Sequence, residues 1–175
     1  MVWKYLGRNI EVGRYSIISE KIFIGNNCKI GDYVKIEDDC HIGDKTVIGD
    51  YVKLMKGTII GGDTVLQDYV NTSGPCRIGN NVVIKRQTMI GKSTVIKDWV
   101  LMGSGVTTAR VKHMGDPDEE ELPVIIGTDC KIGSRAIILA GVTIGPGVEI
   151  GAGALVTKDC TEPGIYIGSP AKKKD

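Results

Sequence analysis

The chain has 175 residues, of which 42% are apolar, and its 22 basic and 21 acidic side chains give a formal net charge of +1. This length and apolar content fit one domain with one core. The balanced charge creates no field that would attract a polyanion, so we expect neither nucleic acid nor a membrane as a partner. The sequence has no run of about 20 apolar residues and no basic start followed by an apolar stretch, which predicts a cytoplasmic protein.

From residue 12 onward the sequence repeats with a period of six residues. Position 1 of the repeat runs from Val12 to Met102 and again from Ile126 to Val156, and only Thr72 among its 22 residues is not apolar. Position 5 carries small or β-branched residues, and glycine fills position 2 in 13 of the 22 units. Position 4 favours residues that tolerate a left-handed backbone. We therefore predict that positions 1 and 5 face inward and that every unit ends in a turn.

A second period of 18 residues indicates how these units are arranged. Four tyrosines occupy position 4 at this spacing, namely Tyr15, Tyr33, Tyr51 and Tyr69. Three units per coil would stack their rings and would bury a continuous core. The prediction is an all-β, parallel β-helix, a triangular prism of about seven coils. The expected parts are an N-terminal cap at 1–11, coils at 12–107, an external loop at 108–123, coils at 124–161 and a C-terminal tail at 162–175.

The segment from His113 to Lys172 adds an ordered series of motifs to the repeat. These motifs read Pro123-Val124-Ile125-Ile126-Gly127, Ile132-Gly133-Ser134-Arg135-Ala136, Gly141-Val142-Thr143-Ile144-Gly145, Gly151-Ala152-Gly153-Ala154-Leu155-Val156-Thr157-Lys158-Asp159 and Gly168-Ser169-Pro170-Ala171-Lys172. With the repeat over residues 12–161, they resemble the hexapeptide-repeat acyltransferases, in particular sugar O-acetyltransferases and nucleotide-sugar N-acetyltransferases. The resemblance implies a left-handed β-helix and acetyl-CoA or another acyl-CoA as co-substrate. It also implies a small-molecule acceptor and a homotrimer with active sites between subunits.

The interruption of the repeat contains His113, one of only two histidines. A long loop within a compact repeat is commonly functional. The resemblance implies that His113 is the general base, and a pKa near neutrality suits a histidine to this role. A loop histidine without a role is the alternative. We interpret the acidic run between residues 116 and 121 mainly as solvation of the loop, although it could also hold an amino-sugar cation.

The resemblance further implies residues that contact the co-substrate. Backbone N–H groups near Ser134 or Gly141 would stabilise an oxyanion. Lysines suit phosphates as mobile point charges, and the full set of candidates is Ser134, Gly141, Ala152, Thr157, Lys158 and Lys172. The alternatives are simple turn residues and a solubilising basic tail.

Two further residues are weaker candidates for substrate contacts. His41 occupies the outward position 6, where it could contact substrate, act as a base supplied by a second subunit or simply lie on the surface. Asn71 opens an irregular stretch that ends at Cys76 and could mark an acceptor pocket or a bulge. The five cysteines all occupy position 5 without Cys-x-x-Cys spacing, so we interpret them as reduced core residues. We predict no metal site and no metal requirement in catalysis.

Three other functions compete with an acyltransferase. A noncatalytic β-helix scaffold or binding module would keep the prism without the site. A γ-class carbonic anhydrase shares the fold but needs three histidines on zinc, whereas this chain has two, 72 positions apart. Descent from the acyltransferase half of a two-domain sugar nucleotidyltransferase would change the substrate and keep the chemistry. His113, Thr157-Lys158 and the Pro170-Ala171-Lys172 tail favour the transferase.

Overall fold

A computed structural model describes residues 4–110 and 122–175. Within these ranges the chain forms 26 short β-strands and no helix, and most strands contain two residues. A six-residue period with glycine and asparagine at its corners favours short strands separated by turns. No helix in the described ranges is therefore long and apolar enough to cross a membrane.

The strands, numbered in chain order, form three sheets. Sheet 1 contains β1 (Lys4–Leu6), β4 (Ile22–Ile24), β7 (His41–Ile42), β10 (Ile59–Ile60), β13 (Arg77–Ile78), β16 (Val95–Ile96), β19 (Ile125–Ile126) and β22 (Thr143–Ile144). Sheet 2 contains β2 (Glu11–Val12), β5 (Lys29–Ile30), β8 (Val47–Ile48), β11 (Val65–Leu66), β14 (Val83–Ile84), β17 (Leu101–Met102), β20 (Lys131–Ile132), β23 (Glu149–Ile150), β25 (Ile165–Gly168) and β26 (Ala171–Lys173). Sheet 3 contains β3 (Ile17–Ile18), β6 (Lys35–Ile36), β9 (Lys53–Leu54), β12 (Asn71–Thr72), β15 (Met89–Ile90), β18 (Thr107–Thr108), β21 (Ile137–Ile138) and β24 (Leu155–Val156).

Each strand of a sheet pairs in parallel with the strand one coil later. Ile59, for example, lies in register with His41 below it and with Arg77 above it, at a spacing of 18 residues. The chain therefore forms a left-handed parallel β-helix of about eight coils, and the predicted fold class is confirmed. The additional coil arises because strand pairing already begins at Lys4, before Val12, where the sequence frame was started.

The core runs along the axis of the prism and consists of side chains from positions 1 and 5. Ile84, Ile90 and Val106 are fully buried, and all five cysteines are buried as free thiols. The outward neighbour in the same two-residue strand is exposed or half-buried, as with Lys35 beside Ile36. This alternation confirms the inward positions that the repeat predicts.

The turns stack into three corners. The first corner joins sheet 1 to sheet 2, the second joins sheet 2 to sheet 3, and the third joins sheet 3 to sheet 1. The four tyrosines lie on the second corner with neighbouring ring centroids 5.0, 4.9 and 4.8 Å apart, so the predicted ladder is present. Each has a positive φ, and Asp32 and Asp50 carbonyls accept the N–H groups of Tyr51 and Tyr69.

Two buried threonines at position 1 explain where the repeat becomes irregular. The hydroxyl of Thr72 accepts the backbone N–H of Met55 at 2.8 Å, and that of Thr108 accepts the N–H of Gly91 at 2.8 Å. In regular coils a backbone carbonyl accepts this bond. Both threonines precede irregular turns on the third corner. Their hydroxyls therefore accept the backbone N–H groups that a backbone carbonyl accepts in the regular coils. Thr108, which the sequence analysis assigns to the loop, thus ends strand β18 as a core residue.

The C-terminal residues 162–175 continue sheet 2 rather than trailing from it. Strand β25 pairs in parallel with β23, and β26 then pairs antiparallel with β25. Tyr166 is buried, and its hydroxyl donates to the carbonyl of Glu162 at 3.0 Å. The tail therefore caps the end of the prism and fixes Lys172 on a strand opposite Ile167.

Candidate functional site

The interruption of the repeat leaves the prism at the third corner. The neck is closed by the N–H of Leu122, which donates to the carbonyl of Arg110 at 3.2 Å. The predicted base His113 and the acidic run between residues 116 and 121 lie outside the described residues. Their site of attachment is nevertheless fixed, because Arg110 and Leu122 both belong to the described prism.

Gly141 lies one coil above this neck. Its N–H donates to the carbonyl of Leu122 at 3.2 Å, its φ is +77°, and a Cβ at this position would lie 3.2 Å from the Leu122 Cβ. Glycine therefore suits the positive φ and the close approach of Leu122. In this structure the N–H of Gly141 is engaged by Leu122 and does not point to a free site.

Thr157 and Lys158 are exposed on the same corner, one coil above Gly141. The neighbouring Asp159 accepts the N–H of Thr143 at 2.8 Å through its side chain, which ties this turn to sheet 1. Gly141, Thr157 and Lys158 thus form one group beside the neck of the loop.

Ser134 and Ala152 form a second group, on the second corner. They stack one above the other, and the carbonyl of Ser134 accepts the N–H of Gly153 at 2.8 Å. Both line an open groove of about 280 Å³ on sheet 2, together with Lys85, Leu101, Lys131 and Glu149. Lys172 belongs to the same sheet, two strands beyond Glu149. The structure therefore divides the predicted co-substrate residues between two corners, which flank sheet 3, and a strand of sheet 2 that carries Lys172.

The groove differs from the lower part of the second corner in its free backbone donors. Lower down, side-chain carboxylates of Asp32, Asp50 and Asp68 each accept the corner N–H one coil below, at 2.7 to 3.2 Å. The equivalent N–H groups of Ser134 and Ala152 have no such acceptor in residues 4–110 and 122–175, because alanine stands one coil above Ser134 and strand β25 follows Ala152. These N–H groups can bind the carbonyl, phosphate or oxyanion groups of a ligand.

Lys85 and Lys131 were missed by sequence reasoning. Their ammonium groups provide the positive charge of a groove whose other ionisable side chain is Glu149. The sequence does contain a signal for this groove. Position 3 on the second corner is aspartate in the lower coils and becomes Ser104, Ser134 and Ala152 in the upper ones.

The two weaker candidates lie far from both groups. His41 is exposed on sheet 1, where its ring is tilted against Phe23 at a centroid distance of 5.9 Å. Four strand spacings separate it from Ile125, roughly 19 Å at ~4.8 Å per strand. Asn71 lies on sheet 3, and its side-chain amide donates to the carbonyl of Tyr69 at 3.1 Å. Neither residue joins the groove or the loop neck.

The cysteines do not form a reactive or metal-binding centre in the described ranges. Burial raises the pKa of Cys40 to about 11 and that of Cys76 to about 12. Their thiolate forms are therefore scarce at neutral pH, which makes them poor nucleophiles. No group of three or more potential metal ligands is found in residues 4–110 and 122–175.

Comparison with known proteins places this architecture in a family. The model of the GMPPB C-terminal domain matches residues 4–96, and the model of the bacterial transferase hexapeptide, described as six repeats, matches residues 123–158. The first of these models covers more than half of the 175 residues, so the chain belongs to the GMPPB C-terminal domain family, and its segment 123–158 is similar to the bacterial transferase hexapeptide.

Curated relatives share a short segment with the chain. A chloramphenicol acetyltransferase of Agrobacterium fabrum is 54% identical over 48 residues, which are 27% of this chain and 23% of that protein. A 2,3,4,5-tetrahydropyridine-2,6-dicarboxylate N-acetyltransferase of Staphylococcus aureus is 48% identical over 50 residues, which are 29% of this chain and 21% of that protein. The match thus spans less than a quarter of the length of either relative.

Solved structures match over almost the whole chain. LpxA from Bacteroides fragilis, a UDP-N-acetylglucosamine acyltransferase, has a TM-score of 0.83 and 19% identity, covering 98% of this chain and 69% of that one. LpxA from Acinetobacter baumannii has a TM-score of 0.82 and 19% identity, covering 95% and 67%. At this identity the likeness establishes the β-helix fold.

Proposed function

We propose that the chain transfers an acyl group, with acetyl as the first candidate, from coenzyme A to a small acceptor. The observation that carries this proposal is the identity of 48 to 54% with two acetyltransferases over segments of 48 to 50 residues. The acceptor class is a sugar, amino sugar or nucleotide sugar, with a hydroxyl or amine as the reacting group. Acceptor-dependent release of the coenzyme A thiol tests the proposal.

The proposed chemistry assigns a separate task to each group of residues. His113 removes the proton from the acceptor as its oxygen or nitrogen attacks the thioester carbonyl. Ser134 and Ala152 line the groove, and their backbone N–H groups donate hydrogen bonds to an oxyanion or an amide carbonyl of the ligand. Collapse of the tetrahedral intermediate then expels the thiolate and leaves the acyl group on the acceptor.

The groove on sheet 2 suits the phosphates and amides of coenzyme A. Lys85 and Lys131 offer two ammonium groups for phosphates, and Lys172 lies further along the same sheet. Leu101 provides apolar contact between the lysines. A groove with backbone donors, two cations and an apolar floor thus fits a chain-like anionic ligand.

We expect the double substitution Lys85→Ala with Lys131→Ala to raise the KM for acetyl-CoA by about tenfold or more, because each lysine supplies a charge-assisted contact. The kcat at saturating acetyl-CoA should change much less. Steady-state kinetics check this, with Lys29→Ala and Lys45→Ala as a control that removes the same charge from exposed lysines elsewhere. An unchanged KM in the first variant would exclude the groove as the binding site.

The proposed site needs two copies of the chain. The group around Ser134 and the group around Gly141 lie on opposite edges of sheet 3, so the two groups of one chain do not face the same groove. A neighbouring prism can bring its third corner to the second corner of the first, as the homotrimer implied by the family resemblance would do.

Light scattering should therefore give a mass near three chains of 18.8 kDa, about 56 kDa.

Coexpression of His113→Ala with the Lys85→Ala, Lys131→Ala double variant then tests the shared site. Random mixing should restore about a quarter of the wild-type sites, measured at low acetyl-CoA, since intact residues from two copies meet. A monomeric mass, or mixed trimers without recovered activity, would contradict the shared site.

A noncatalytic β-helix is the second candidate, because the model that matches residues 4–96 is described as a C-terminal domain and not as a transferase. Binding of coenzyme A separates the two candidates, since a scaffold has no reason to bind it. The five buried free thiols fit a reducing compartment such as the cytoplasm under either candidate.

A further inference from the structure

A groove of about 270 Å³ lies on the sheet 1 side of the third corner, below the neck of the loop. Gly57, Pro75 and Ser93 form its edge, and Ile59, Arg77 and Val95 point outward from three consecutive strands of sheet 1. The residues assigned above to acyl transfer do not line it.

Pro75 accounts for the irregular edge of this groove. The equivalent turn residues in neighbouring coils, Gly57 and Ser93, have φ values of +75° and +64°. Proline is restricted to a φ near −65° and cannot adopt that conformation, so the corner follows a different path in this coil. The turn is still held in place, because the carbonyl of Pro75 accepts the N–H of Ser93 at 2.7 Å.

Arg77 is the cation of the groove. Its neighbours in register are Ile59 and Val95, both half-buried and apolar. Two of the other exposed arginines, Arg14 and Arg86, form ion pairs with Asp32 and Asp68 at 2.9 and 3.0 Å. Among residues 4–110 and 122–175, the Arg77 guanidinium forms no ion pair and no hydrogen bond. The planar guanidinium of Arg77 presents several N–H donors between two apolar side chains. This arrangement suits a ligand that carries a phosphate or carboxylate on a less polar remainder.

The groove also lies next to the point where the interrupting segment rejoins the prism. The N–H of Val95 donates to the carbonyl of Val124 at 2.8 Å, and Val124 follows Leu122 by two residues. A ligand with its anionic group on Arg77 would therefore extend along sheet 1 toward the loop neck. The irregular stretch from Asn71 to Cys76 thus borders this groove through Pro75 and Cys76, while Asn71 lies on sheet 3.

We propose that this groove is the acceptor subsite for an anionic sugar, one that carries a phosphate or a carboxylate, and that Arg77 binds the anionic group. The proposal rests on the proposed acyltransferase function and specifies its acceptor class. It predicts that the chain binds an anionic sugar more tightly than its neutral counterpart because of Arg77.

Titration calorimetry without any acyl-CoA tests the subsite independently of catalysis. Glucose 6-phosphate and glucuronate are each compared with glucose, the neutral counterpart of both, so that the two anion types are separated. The wild type should bind at least one anionic sugar about tenfold or more tighter than its neutral counterpart, and Arg77→Ala should lose that difference. Arg77→Lys should retain part of the preference because the charge remains. Arg86→Ala, which removes the same charge on the second corner, should behave like the wild type.

Three results would overturn the subsite. These are equal binding of anionic and neutral sugars by the wild type, absence of binding by both classes, and an Arg77→Ala preference equal to that of the wild type. If the preference falls equally in Arg86→Ala, bulk charge and not the groove is responsible. Once an acceptor is known, Arg77→Ala should raise the KM for the anionic acceptor more than the KM for a neutral one. Absence of acyl transfer by the wild type would instead count against the proposed function, since calorimetry measures the subsite alone.

Discussion

Replacement of His113 by alanine should reduce kcat/KM for acyl transfer by about 100-fold or more, because a positioned general base contributes typically 10²- to 10⁴-fold. The substitution removes the only histidine in the interruption of the repeat and leaves the described core unchanged. Release of the coenzyme A thiol, followed with a thiol reagent, measures the effect. The buried cysteines contribute little signal because burial raises the pKa of their thiols.

His41→Ala is the matched control for this experiment. It removes the other histidine of the chain, an exposed residue on sheet 1. Activity near the wild-type level in the control, with a large loss in His113→Ala, supports His113 as the base. The reverse pattern would assign the base to His41, and full activity in both variants would show that neither histidine takes the proton.

Replacement of Ile42 by alanine should lower the free energy of unfolding by about 2–5 kcal/mol, because it removes three buried carbon atoms from a closely packed core. Ile42 is 1% exposed and stacks between Ile24 and Ile60 on sheet 1. Urea unfolding at one fixed protein concentration measures the change. The same control variant, His41→Ala, alters the adjacent outward residue of strand β7 and should change the stability by only about 0.5 kcal/mol.

Equal losses from Ile42→Ala and His41→Ala would contradict the assignment of position 1 to the core. The two residues are neighbours in one strand and occupy its opposite faces. The comparison therefore tests the inward assignment of position 1 that the six-residue frame predicts.

The fold was largely predictable because the sequence has two periods. One indicates which side chains face inward, and the other indicates how many units form a coil. The six-residue period places apolar side chains such as Ile84 and Ile90 inside, and the 18-residue spacing of the tyrosines gives three units per coil. Handedness required the family resemblance, since the period alone does not determine it. The first coil was missed because the frame was started at Val12, although Leu6 and Ile10 already fit positions 1 and 5.

The candidate site was harder to predict because it depends on which corner each residue occupies. The 18-residue period does predict that Ser134 and Ala152 stack. The interruption, however, changes the spacing across the third corner, so that Val95 pairs with Ile125 after 30 residues instead of 18. Residues on opposite sides of that break, such as Lys85 and Lys131, therefore cannot be recognised as neighbours from an 18-residue spacing.

The polar position-1 residues show how local chemistry can look like an error in the pattern. Thr72 and Thr108 break the apolar series, and a sequence frame that expects aliphatic side chains ends the coil at Met102. Both hydroxyls accept buried backbone N–H groups at irregular turns. A threonine at position 1 therefore marks an irregular corner, which a composition rule alone does not reveal.

The most direct test of the proposed function is the release of coenzyme A thiol from acetyl-CoA by the wild-type chain, measured with a panel of acceptors. The panel contains neutral sugars, amino sugars, sugar phosphates, uronic acids and nucleotide sugars, and mass spectrometry identifies the acetylated product. We expect release that depends on the acceptor and matches the amount of product formed. Absence of release with every acceptor, together with absence of coenzyme A binding by calorimetry, would contradict an acyltransferase and would favour a noncatalytic β-helix.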